Sequence, residues 1–285
     1  MGGLRIPVPT RMVVCLAAVV LMVSGAAACG GDDDAQTLDI SVTEKGKVSE
    51  VTAPKSVEAG LTEITLTNDG KKGHDLTLIR VEGDRSAEDA IQGLGAVIEG
   101  QPFPEWFFAA GGVSSTPSGQ SQTVTQVLEP GTYYAFETQQ LQGPPDPKSV
   151  PAIEVTGEAS DDELPEPDGG EIETIDYGFK TSGIEAGQNE ILFANTGAQP
   201  HFIEALPLKG NATVEDVEKG IKADRDIPVK ASGEQTTAVL EGGDSQLVTF
   251  DLKPGKYVLL CFISDRQGGP PHSIGNGMIG EVDVK

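Results

Sequence analysis

An internal repeat constrains this chain more than any other feature. Val57-Glu58-Ala59-Gly60 returns as Ile184-Glu185-Ala186-Gly187, Glu63-Ile64 as Glu190-Ile191, Asn68-x-Gly70 as Asn195-x-Gly197 and His74 as His201, all displaced by 127 residues. Ser86 to Asp89 and Thr213 to Asp216 keep that displacement, and each reads as a capping box that opens a short helix. Beyond the helices the displacement falls to 124, which aligns Pro130-Gly131-x-Tyr133 with Pro254-Gly255-x-Tyr257. One loop therefore changed length inside a unit that is otherwise written twice.

Within each copy the pattern is β. Leu38, Ile40 and Val42 alternate with polar residues, as do Ile175, Tyr177, Phe179 and later Val248, Phe250, Leu252. Alternation with period two buries one face of a sheet. Turn signals at Asn68-Asp69-Gly70, Pro130-Gly131, Asn195-Thr196-Gly197 and Pro254-Gly255 cut the chain into short strands at sandwich-like intervals. The expected fold is all-β: two tandem Greek-key β-sandwiches, each with one short helix, over residues 36–157 and 171–285. The acidic, Pro-containing stretch 158–170 has no apolar periodicity and reads as a linker.

Residues 1–28 read as an export signal: Arg5 and Arg11, an apolar run from Met12 to Val23, then small residues to Ala28. The sequence Ala26-Ala27-Ala28-Cys29-Gly30 resembles the lipobox of bacterial lipoproteins, which implies acylation of Cys29 and a lipid anchor. An ordinary secretory signal cleaved nearby is the alternative. Residues 29–35, with Asp32 to Asp34, suit a flexible tether. The expected location is the extracytoplasmic face of a bacterial cell membrane. The formal net charge of −24 repels nucleic acid and suits solubility outside a cell.

Of three cysteines, Cys15 leaves with the signal and Cys29 would carry lipid, so Cys261 has no disulfide partner. A lone thiol in an oxidising compartment is either buried or bound. Around it the second copy carries His201 after its Asn-x-Gly turn, and His272 and Met278 before the last strand. Two imidazoles, a thiolate and a thioether are the donor set of a trigonal His2Cys centre with a weak axial Met. Singly, each has an ordinary explanation: Cys261 and Met278 as core filler, His201 as a turn cap, His272 as a loop residue.

Asn195 to His201, and Pro254 to Cys261 followed by His272, Met278 and a final strand from Ile279 to Val284, resemble the cupredoxin family. The resemblance implies two cupredoxin-like sandwiches and one copper ion in the C-terminal one, with His201, His272 and Cys261 as equatorial ligands and Met278 as the axial ligand. The ligand loop, C-x10-H-x5-M, is longer than in small cupredoxins. The resemblance also implies single-electron transfer, with the edge of His272, flanked by Pro270 and Pro271, as the exit toward a redox partner protein.

The first copy keeps His74 but has Glu137 where the second has Cys261, and 138–151 offers neither His nor Met. His74 is therefore expected to be structural. Phe103, Trp106, Phe107 and Phe108 either dock a partner or fill the sandwich end. With three histidines the chain lacks the further histidine-rich copper sites of copper oxidases and nitrite reductases. It also lacks G-x-S-x-G, His-Glu-x-x-His and P-loop motifs, so no enzymatic activity is expected of it alone. Copper holding or delivery without electron transfer, and a metal-free structural or binding lipoprotein, are the alternative functions.

Overall fold

Leu38, Ile40 and Val42 point inward along strand β1 (Gln36–Lys45) and are almost fully buried, as their alternation predicts. The first half continues with β2 (Val48–Thr52), β3 (Ser56–Glu58), β4 (Gly60–Asn68), β5 (His74–Val81), β6 (Phe107–Thr116), β7 (Ser121–Leu128), β8 (Gly131–Phe136) and β9 (Ala152–Thr156). One layer runs β2-β1-β4-β7 and the facing layer β3-β9-β8-β5-β6. The β1–β4 pairing is parallel, whereas β4–β7 is antiparallel. This computed structural model describes residues 35–46, 48–138 and 145–285, so the expected signal segment and Cys29 lie outside the described residues.

Helix α1 (Ala87–Ile98) sits between β5 and β6, and its first turn is closed by the reciprocal bonds of Ser86 and Asp89. It buries Ile91, Leu94 and Val97 against Phe103, Phe107, Tyr134 and Phe136. Phe103 and Phe107 thus fill the end of the sandwich, one of the two roles expected of them.

The second half repeats the plan: β10 (Glu171–Ile175), β11 (Gly178–Ser182), β12 (Gly187–Asn195), β13 (Glu204–Pro207), α2 (Val214–Lys222), β14 (Gln235–Thr236), β15 (Ser245–Leu252), β16 (Gly255–Leu260) and β17 (Ile279–Val284). Thr213 and Asp216 cap α2 as Ser86 and Asp89 cap α1. A one-turn helix α3 (His272–Gly275) is an addition to the single helix expected. The alternation expected through Ile175, Tyr177 and Phe179 does not form one strand. The chain reverses between β10 and β11, and Tyr177 takes a left-handed φ of 65° in the turn.

The two inner layers are one sheet, in the order β11-β10-β12-β15-β7-β4-β1-β2. Val124 of β7 pairs antiparallel with Val248 of β15, its own counterpart in the repeat, so a local two-fold axis passes between them. In an isolated sandwich each of these strands would be an exposed edge; pairing them removes both edges. Across the seam the buried Gln246 donates to Gln126 Oε1 (2.6 Å) and to Gly112 O (3.0 Å), and Gln126 donates to Ala110 O (3.0 Å). The apolar core is correspondingly continuous, running from Leu38 and Ile64 through Val124 and Val248 to Phe193 and Phe250.

The repeated turn residues have repeated jobs. Tyr133 donates its hydroxyl proton to Glu129 O (2.8 Å), and Lys253 N donates to Tyr257 Oη (3.0 Å), each tying a Pro-Gly turn to its strand. Asn195 Nδ2 donates to Gln199 O, Leu240 O and Glu241 O at 2.9–3.0 Å, while Oδ1 accepts from Gly197 N. Asn68 is built the same way around Lys72 O, Thr116 O and Gly70 N. Asn195→Ala strands several buried backbone groups at once and is expected to cost about 2–4 kcal/mol. Urea denaturation checks this through the unfolding midpoint, and an unchanged midpoint would contradict it.

Candidate metal centre

Three elements bring the site together. His201 leaves the Asn195 turn and exchanges both backbone hydrogen bonds with Leu240, at 3.0 and 2.8 Å. Cys261 is the first residue after β16, and its N–H donates to Ser273 Oγ at 2.8 Å. Ser273 Oγ in turn donates to Met278 O (2.7 Å), while Ser273 N donates to Cys261 O and Met278 N to His272 O. The loop between Cys261 and Met278 is thus drawn closed around α3, with all four candidate ligands fully buried.

The ligand atoms form a small triangle. Nδ1 of His201 and Nδ1 of His272 are each 3.6 Å from Cys261 Sγ and 3.1 Å from one another. A point equidistant from the three lies about 2.0 Å from each, within the range of metal–imidazole and metal–thiolate bonds, about 2.0–2.3 Å. Among the described residues this is the one group of three His, Cys or acidic side chains able to share an ion.

The outer nitrogens of both rings face carboxylates. His272 Nε2 lies 3.1 Å from Asp265 Oδ1, and His201 Nε2 is 3.8 Å from Asp176 Oδ1. A carboxylate at Nε2 favours the tautomer that leaves the Nδ1 lone pair directed inward. Asp176 Oδ1 also accepts from Ala198 N and Gln199 N, which shapes the turn leading to His201. Tyr177 donates to Asp265 at 2.9 Å, and its ring meets His272 edge-on at 5.5 Å. Sequence reasoning missed Asp176, Tyr177, Asp265 and Ser273, none of which stands in a spacing that marks it.

His272 does not lie open in its loop. The imidazole is fully buried under Tyr177, which is itself 38% exposed. The physical reason is the turn between β10 and β11, which the sequence pattern read as continuous strand.

Burial also sets the charge of the site. It pushes the Cys261 thiol up to about 11, against the pull of backbone hydrogen bonds from Phe202 and Ile263. It lowers His201 to about 4, helped by repulsion from His272 and opposed by Asp176. His272 is lowered by the same desolvation, with Asp265 opposing. Without an ion the site at neutral pH is an uncharged thiol between two neutral imidazoles. A soft cation held there would take the place of the thiol proton.

Among the described residues the corresponding place in the first sandwich has no such triangle. His74 lies between Glu44 and Glu137, with Nε2 and Nδ1 each 3.2 Å from a carboxylate oxygen. Glu44 accepts from Lys71 N and Lys72 N as well, so the ring is fixed between two acids on the same frame.

Two mixed sandwiches with this repeated strand order, one closed by a His–Cys–His triangle, are cupredoxin-like, and the triangle fits a type 1 copper centre. Solved structures similar to the chain include auracyanin from the photosynthetic bacterium Roseiflexus castenholzii, at 26% identity over 40% of this chain and 94% of that one, TM-score 0.27. Auracyanin B is similar at 22% identity over 43% and 93%, TM-score 0.28. A blue copper oxidase from Nitrosomonas europaea is similar over both halves, at 12% identity over 88% and 86%, TM-score 0.23. No family model matches the chain, and no curated protein does.

Proposed function

We propose that this chain is an exported, membrane-anchored copper protein that carries single electrons at one site in its C-terminal sandwich. His201, His272 and Cys261 would hold the ion, and Met278 would supply a weak fourth donor. The observation that carries the reading is the triangle of two Nδ1 atoms and one Sγ, whose size suits one copper ion. When bound, copper supplies a one-electron couple and a thiolate-to-metal charge-transfer band. The surrounding residues hold the ligands in place: Asp265 orients the His272 ring, Asp176 shapes the turn that leads to His201, and Ser273 ties Cys261 to Met278. Burial excludes water from both imidazoles.

Lipid at Cys29 would place the body at the extracytoplasmic face of a bacterial membrane, beside a redox partner protein. With three histidines the chain furnishes one such site and no second copper centre, so the reading is a carrier and not an oxidase. The basic residues Arg5 and Arg11, the apolar run from Met12 to Val23 and the polar run after Cys29 support export.

Titration of the metal-free chain with Cu(II) is expected to saturate at one equivalent and to develop an intense visible band. Failure to take up copper at stoichiometric loading would sink the reading. The complete burial of His272 under Tyr177 favours a second reading, copper holding with slow electron exchange. The electron self-exchange rate of the loaded protein decides between them.

A further inference from the structure

The first sandwich reaches both imidazole ligands of the second, His201 through one intervening residue and His272 through two. On one side Ala110 of β6 bridges to Leu240, and Leu240 is the residue hydrogen-bonded in both directions to His201. On the other side the Cys261–His272 loop lies against the segment that precedes β6. Phe103 N donates to Arg266 O at 2.9 Å, and Gly269 N donates to Gly100 O at 3.0 Å. The Arg266 side chain crosses the same seam. Its Nη1 donates to Glu241 Oε1 (2.6 Å), its Nη2 donates to Phe107 O (3.2 Å), and its guanidinium stands 5.5 and 5.2 Å from the rings of Phe103 and Phe108. Glu241 Oε1 accepts from Ala109 N of the first sandwich as well. Asp265, the partner of His272 Nε2, is the residue immediately before Arg266.

We infer that the N-terminal sandwich is the positioning wall of the C-terminal centre, with Arg266 as the positioning residue that carries its hold through Asp265 to His272. The inference deepens the copper reading and rests on it for its spectroscopic readout. A loop of ten residues between two ligands has many conformations to lose, and its internal bonds include Ser264 Oγ to Gly269 O, Gly268 N to Asp265 O and His272 N to Ile263 O. Its own sandwich holds Arg266 N through Gln199 Oε1 (2.9 Å) and Asp265 through the Tyr177 hydroxyl (2.9 Å), and the neighbouring sandwich holds Arg266 O, the Arg266 side chain and Gly269 N. Gly268 shows how close the fit is. It has a φ of +78°, and a Cβ there would lie 2.8 Å from both Gly100 O and Pro102 N. Only glycine combines that backbone conformation with that approach. Arginine suits the seam because its planar fork serves a carboxylate, a carbonyl and two ring faces together, which lysine does not. A first copy with the same frame but Glu137 in place of the cysteine is consistent with this role: its contact surface, Gly100 to Ala110, meets the other copy's ligand loop.

The test uses the full chain with Arg266→Ala, Arg266→Lys and Gly268→Ala, and Lys256→Ala as a control that removes only an exposed ion pair with Glu281 on the far strands. In the metal-free proteins, amides 263–269 of Arg266→Ala and Gly268→Ala are expected to exchange at least about tenfold faster while β12 and β16 keep their protection. Copper affinity, by chelator competition, is expected to fall about 10- to 100-fold with a shifted visible band. Arg266→Lys falls between these variants and the control. Wild-type exchange together with an unchanged band and affinity would overturn the inference, since the loop would then hold itself. A wild-type chain that takes up no copper overturns the copper reading alone. The exchange comparison still decides the positioning role.

Discussion

Replacing Cys261 with serine is expected to abolish the visible charge-transfer band and stoichiometric copper binding while leaving both sandwiches folded. The thiolate is the one anionic donor in the triangle; the other two positions are neutral imidazoles. A serine hydroxyl does not ionise there and is a hard oxygen donor, so the site loses both its negative charge and its softness. The fold does not depend on the sulfur. The serine Oγ meets the same Phe202 and Ile263 backbone donors that reach Cys261 Sγ, so the metal-free variant is expected to lose only about 1 kcal/mol. Visible absorption after copper loading and thermal melting of the metal-free variant check the two halves of this expectation. A Cys261→Ser protein that keeps the band would remove Cys261 from the ligand set.

Acidification should act on the metal-free chain in the same direction as on the metal. His201 has a folded pKa of about 4, lowered by burial and by His272, against about 6.5 for a free imidazole. Between these values the unfolded chain binds more protons than the folded one, so stability rises with pH across the window. The contribution is fully present above about pH 6.5 and gone below about pH 4, roughly 3 kcal/mol in all, and His272 adds to it with the same sign. His201→Gln should flatten the slope of unfolding free energy between pH 7 and 4 relative to the parent chain. Parallel slopes would contradict the assignment. If copper were bound, protons would compete for His201 Nδ1 only as the pH approaches about 4, where the folded imidazole takes up a proton. At neutral pH the high pKa of Cys261 makes copper uptake release about one proton, which calorimetry in buffers of different ionisation enthalpy reads directly.

The positions of His201 and Cys261 were legible because they hang on repeated backbone signals. The Asn195 turn and the Pro254-Gly255 turn each have a counterpart in the first copy, and the strands they start or end follow from simple alternation. His272 was legible as a residue type in a loop after Cys261, and its burial was not. Its cover, Tyr177, comes from a turn some 95 residues earlier, where Ile175, Tyr177 and Phe179 imitate the alternation of a strand. Period-two patterning reports which face a side chain takes while the backbone stays extended; it says nothing once one residue turns left-handed. Asp176 and Asp265 were hidden for a related reason. In a chain with 44 acidic residues no composition signal distinguishes two that face imidazoles.

The sequence by itself determined that one sandwich was written twice and that only the second copy carries His, Cys, His and Met together, since both facts are properties of order and spacing. The tertiary structure decided that the copies share a sheet, with Val124 against Val248, and that the first copy packs on the second copy's ligand loop through Arg266. It also drew two Nδ1 atoms and one Sγ into a triangle suited to a metal ion. Local order fixes strands and turns because their hydrogen bonds and periods are local. Which edges pair and which loops meet depends on surfaces that exist only after the strands have assembled.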